Sequence, residues 1–92
     1  MKKYVIERAI PGVGAMSPEE LAAASAKSNA ALAAIGPSIQ WQHSYVAGDK
    51  TFCVYLADSE DVIRRHSEES GFPADKITEV STLIDPTTGD SA

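Results

Sequence analysis

Two imidazoles, one thiol and two strand-borne carboxylates are the groups in this chain best suited to chemistry: His43, His66, Cys53, Glu7 and Glu79. A neutral imidazole nitrogen is the commonest side-chain ligand for transition metals, and carboxylates join such sites readily. A thiolate beside a base is a nucleophile. Each group also has a plain structural role open to it. His43 stands between Trp41 and Tyr45 at period-two spacing, so alternation puts the three on one face of a strand. There a histidine serves equally well as a hydrogen-bonded member of an aromatic cluster. His66 falls four residues after Val62 and three after Ile63, at the sheet-facing edge of a helix and near its C-terminus. Cys53 has no base at a fixed spacing and suits a strand as a small hydrophobe. Across a hairpin, His43 could face Cys53, Val54 or Tyr55, and the spacing leaves that choice open. Glu7 and Glu79 fall in strands expected to be neighbours, where Arg8 or Lys76 would serve as ion-pair partners. No paired-cysteine knuckle and no two-histidine helix motif is present.

Gly12-Val-Gly14 lies between a strand and a helix, as a dinucleotide-binding loop does. The third glycine is missing and the chain is too short for the parallel sheet such a loop serves, so the segment reads as a turn.

These residues need scaffolding, and the order of elements is legible. Lys3–Ala9 is rich in β-branched and aromatic residues and reads as a strand. Ser17-Pro-Glu-Glu20 is a capping box with proline at the first helical position. The helix it opens shows Leu21, Ser25, Ser28, Leu32 and Ile35 on one face, flanked by Ala24 and Ala31, and stops at Gly36-Pro37. Ile39–Val46 and Thr51–Leu56 form a hairpin turned through Ala47-Gly-Asp-Lys50. Asp58 or Ser59 caps a second helix that ends at Gly71, and Ile77–Ile84 reads as the last strand. The order β-α-β-β-α-β predicts a ferredoxin-like α+β fold: a four-stranded antiparallel sheet, first and third strands central, with two helices on one face. Residues 1–86 would form this single domain and 87–92 a flexible C-terminal tail.

Ninety-two residues bury a modest core, and two helices cover only one side of a sheet whose strands carry apolar groups on both. A twofold mate on the bare face, closing a dimeric α+β barrel or sandwich, is therefore expected. Eight basic against thirteen acidic residues give a net charge of −5, with no basic stripe, which argues against nucleic acid and anionic membranes as partners. A single cysteine excludes an internal disulfide, and with neither a signal peptide nor a long apolar run the expected location is cytoplasmic.

The residues themselves carry a resemblance. Trp41-Gln-His-Ser-Tyr-Val46, Lys50-Thr-Phe-Cys-Val-Tyr55, His66, Gly71-Phe-Pro-Ala74 and Ile77-Thr-Glu-Val80 resemble a family of small bacterial proteins. Tyr4-Val-Ile-Glu-Arg8, Ser17-Pro-Glu-Glu-Leu21 and Ala26-Lys-Ser-Asn29 fit it too, so the likeness runs from about Lys3 to Pro86. The family is a domain of unknown function that includes a nickel-binding, nickel-responsive protein. The resemblance implies a dimeric ferredoxin-like fold. It also implies a non-enzymatic role in binding Ni2+ or another divalent transition metal, with His43, His66, Cys53 and Glu79 as the positions of ligand chemistry. The alternative is a small-molecule-binding module or enzyme, with Trp41, Tyr45 and Tyr55 as the walls of a cofactor or ligand pocket and His43 as its acid–base group.

Overall fold

The computed structural model describes residues 1–91. Strand β1 (Lys2–Ala9) leads through a short 3-10 turn at Val13–Ala15 to helix α1 (Pro18–Ile35). The hairpin β2 (Ile39–Ala47) and β3 (Lys50–Ala57) follows, then α2 (Glu60–Ser70), β4 (Lys76–Glu79) and a 3-10 segment at Pro86–Ser91. All pairings are antiparallel and the strand order is β2-β3-β1-β4, the ferredoxin-like arrangement with β1 and β3 in the centre. No helix is long and apolar enough to cross a membrane among the described residues.

Local chemistry accounts for the helices. Ser17 Oγ accepts from the Glu20 N–H while the Glu20 carboxylate accepts from the Ser17 N–H, so the capping box closes both ways and fixes the start of α1. Ser28 and Ala31 are the buried residues of α1, and such small side chains let the helix approach the sheet closely. In α2, Ile63, His66 and Ser70 form the buried stripe. Its wet side carries the i,i+4 pairs Arg64–Glu60 and Arg65–Glu69. Gly71 ends α2 at φ 79°, left-handed backbone that glycine adopts without a Cβ penalty.

Strand alternation builds the core. Tyr4, Ile6 and Arg8 of β1 lie opposite Tyr55, Cys53 and Thr51 of β3, and all six are buried on the helix-covered side. Ile39, Ala57 and Ile63 complete the fully enclosed cluster, with Leu32, Ile35, Trp41 and Ile77 packed around it. The other face carries Val5, Phe52, Val54 and Leu56, each only half-buried.

Two departures from the expected pattern stand out. β4 stops at Glu79 rather than running to Ile84, because the chain beyond it leaves the ladder and passes beside His43 and Tyr45 on the open face. Tyr4 pairs with Glu79 and Val80 N–H still reaches Lys3 O, the last rung of the ladder. The second departure is a β-bulge in β2. Trp41 pairs with Tyr55 but His43 pairs with the adjacent Val54, leaving Gln42 as the extra residue.

Candidate functional site

The bulge decides which side chains share a site. Strict alternation placed Trp41, His43 and Tyr45 together. One inserted residue reverses the phase, so Trp41 stays on the helix-covered side with Ser44, while His43 and Tyr45 turn to the open face. The indole Nε1–H of Trp41 donates to Ser44 Oγ at 2.9 Å, a contact between residues three apart that an unbroken strand would hold on opposite faces. A pocket walled by Trp41, His43, Tyr45 and Tyr55 together therefore does not form. Trp41 and Tyr55 line one concavity and His43 and Tyr45 another.

On the open face His43 is exposed, with Tyr45 edge-on at a ring-centroid distance of 5.2 Å. Its cross-strand neighbour is Val54, settling the hairpin register. The segment from Val80 to Ile84 passes on the far side of this patch, and Leu83 and Ile84 remain 68% and 75% exposed. The result is an apolar shelf carrying one imidazole.

His66 has the opposite surroundings. It is fully buried, and its Nε2 lies 3.1 Å from Ser28 Oγ on α1. Its Nδ1 has no protein partner. Burial pushes its pKa down, and the positive charge of Arg8 pushes it further, so the ring is held neutral. Cys53 is buried on the same side of the sheet, with Sγ 3.5 Å from Thr51 Oγ1. Glu79 lies near the sheet edge, 3.5 Å from Lys2 Nζ. Glu7 is on the open face between Lys50 and Lys76, at 4.0 and 3.8 Å. His43, His66, Cys53 and Glu79 are thus not brought together: the sheet separates His43 from the other three. Among the described residues no three of His, Cys, Asp and Glu converge as a metal site.

Between α1 and the covered face lies a cavity of about 130 Å³. Its walls are mainly apolar, with Val13, Leu21, Trp41 and Phe72 prominent; Arg8, Ser28, Tyr55, Ser25, Ser44 and Thr51 are among its polar residues. Arg8 is only 3% exposed and reaches across the core. Its Nη1 donates to Pro73 O at 2.5 Å and to Ser67 Oγ at 3.2 Å, tying β1 to the end of α2. The guanidinium carbon sits 5.9 Å from the centroid of Tyr55. Burial raises the Tyr55 pKa despite the opposing pull of Arg8, so the phenol keeps its proton at neutral pH. Arg8 is the residue that sequence reasoning passed over as a site residue. The signal was present: it is in phase with Tyr4 and Ile6, a charged residue in a core position.

The Gly12–Gly14 segment is a turn docked on the hairpin. Gly12 N–H donates to Asp49 Oδ1 and Gly14 N–H to Gly48 O, at 2.9 and 2.8 Å, so these amides are engaged within the fold. A Cβ on Gly14 would stand 2.5 Å from Gly48 O, so the close approach requires glycine.

Residues 4–80 match the family described as nickel responsive protein SCO4226-like. Among solved structures, SCO4226 from Streptomyces coelicolor A3(2) is similar, with a TM-score of 0.73 at 19% identity over 89% of this chain and 99% of that one. At that identity the likeness is one of fold. No curated protein matches the chain significantly.

Proposed function

The chain belongs to the SCO4226-like family of nickel-responsive proteins, and from that premise we propose that it is a non-enzymatic homodimer that binds Ni2+ or a similar divalent transition metal through His43. The observation that carries this reading is the position of His43. It is the exposed histidine, and it sits on the sheet face that neither helix covers. His66 is sealed in the core with Nε2 engaged by Ser28, and Cys53 is buried beneath α1's side of the sheet. Neither is open to an ion from solvent.

One chain does not fit the metal by itself, since among the described residues no group of three from His, Cys, Asp and Glu converges, at His43 or elsewhere. A twofold mate laid on the open face supplies what is missing. Two copies of His43 then face the same interface, and imidazole is a ligand type that suits nickel. Glu7 is a carboxylate on the same face, and it would join the metal by exchanging its contacts with Lys50 and Lys76. The same pairing removes the half-buried Val5, Phe52, Val54 and Leu56 from water, which is its driving force. Such a small acidic protein with one free thiol suits a cytoplasmic setting, and nucleic acid and membranes are not its proposed partners.

Calorimetric titration of metal-free protein with NiCl2 tests this. Wild type is expected to show saturable binding, and His43→Ala to weaken it at least tenfold. Binding that is absent in wild type, or unchanged in His43→Ala, removes the assignment.

A further inference from the structure

A buried guanidinium normally comes with a carboxylate, because an uncompensated charge in an apolar interior is strongly disfavoured. Arg8 breaks that pattern. None of the ion pairs among the described residues includes it. Its Nη1 is satisfied by Pro73 O and Ser67 Oγ, but Nη2, also buried, has no partner among the described residues. The ionisable neighbours do not neutralise it: His66 is held uncharged and Tyr55 keeps its proton. Glu69 pairs with Arg65 and the Asp75 carboxylate accepts the Ala9 N–H, and neither forms an ion pair with Arg8. A buried guanidinium with one donor unpartnered among the described residues therefore belongs to the wall of a cavity whose lining is largely apolar.

We propose that the cavity between α1 and the sheet is a binding site for a small amphiphilic carboxylate, anchored on Arg8. The Arg8 guanidinium takes the carboxylate, its Nη2 being brought into reach by a small rotation of the side chain, and the Tyr55 hydroxyl is the donor beside it. Val13, Leu21 and Trp41 enclose the apolar remainder. The volume of about 130 Å³ is slightly under the roughly 150 Å³ of a cavity that accepts a benzene ring, so the enclosed part takes the anionic end and a small apolar portion, and the rest of the ligand extends toward the cavity's open side. Aromatic or short-chain carboxylates of that bulk fit, whereas fatty acids are too long. An inorganic anion would satisfy the guanidinium but leave the apolar walls unused, so the organic anion is favoured. Met16 and Leu21, both half-buried, and the exposed Val46 are the outermost lining residues and mark the entrance. This site lies on the other side of the sheet from His43, and its occupancy does not depend on metal.

The test is an amide-resolved NMR titration of the full chain with three probes: benzoate, benzyl alcohol and inorganic phosphate. Benzoate is expected to give saturable shifts at the lining residues, with at least tenfold higher affinity than benzyl alcohol, and phosphate to give none that saturate there. Arg8→Met should bring benzoate down to the affinity of benzyl alcohol. Because Arg8 also ties β1 to the end of α2, Ala24→Leu provides a second variant: it fills the cavity from α1, leaves the Arg8 hydrogen bonds alone, and should abolish both organic probes. Equal affinity of wild type for benzoate and benzyl alcohol, absence of saturable benzoate shifts, a saturable phosphate response there, or undiminished benzoate binding by Ala24→Leu would each overturn the proposal.

Discussion

Two histidines of the same chain show how far surroundings rather than residue type decide a role. His43 stands in water on an uncovered sheet face, while His66 is fully buried against Ser28 and under the field of Arg8. For His66 the consequence is a dependence of stability on pH. Its folded pKa lies below the usual value near 6.5, so on acidification the unfolded chain takes up a proton that the native state resists. The stability associated with the neutral ring is whole above about pH 6.5 and declines as pH falls through the lower native pKa. Urea unfolding of wild type and His66→Gln at pH 7.5 and 5.5 should show a steeper loss for wild type on acidification; parallel losses would contradict this. The buried placement of His66 was legible, because it shares a helical face with Val62 and Ile63. Arg8 was equally in phase with Tyr4 and Ile6. Its importance escaped notice because a strand arginine reads first as a surface ion-pair partner, and period-two arithmetic says nothing about which buried nitrogen lacks a partner.

At the scale of elements, capping chemistry and periodicity fixed both helices, the hairpin and the strand order before any coordinates. What they could not supply was the phase of β2. Nothing in Trp41-Gln-His-Ser-Tyr45 marks Gln42 as the extra residue, because a bulge arises from fitting the strand to its partner and not from local propensity. That single residue splits the apparent aromatic cluster and sends His43 and Trp41 to different sites. The length of β4 is illegible for a related reason: residues through Ile84 have strand-like character, but where the chain leaves the ladder is set by its packing across the open face beside His43 and Tyr45. The bulge has its own test. Ser44→Ala leaves the part-buried indole N–H of Trp41 without its acceptor, and should cost about 1–2 kcal/mol in urea unfolding followed by the emission of the one Trp. An unchanged midpoint would mean that the Trp41–Ser44 contact does not hold the bulge.

For the molecule as a whole, the sheet divides two kinds of chemistry. The covered side holds a neutral, mostly apolar interior with one unpaired cation; the open side holds an imidazole among apolar residues in need of cover. A chain of 92 residues has little core to spare, so pairing through that second face would contribute to stability as well as gather metal ligands. The family match places the chain among nickel-responsive proteins, and its proposed metal site rests on His43 in an assembled pair. Native mass spectrometry of protein loaded with Ni2+ bears on that claim most directly, with Tyr45→Arg placed in the proposed interface. Wild type should appear as a dimer carrying nickel, and Tyr45→Arg as a monomer that has lost it. Nickel retained on monomers, or dimers that take up no nickel, would contradict the account.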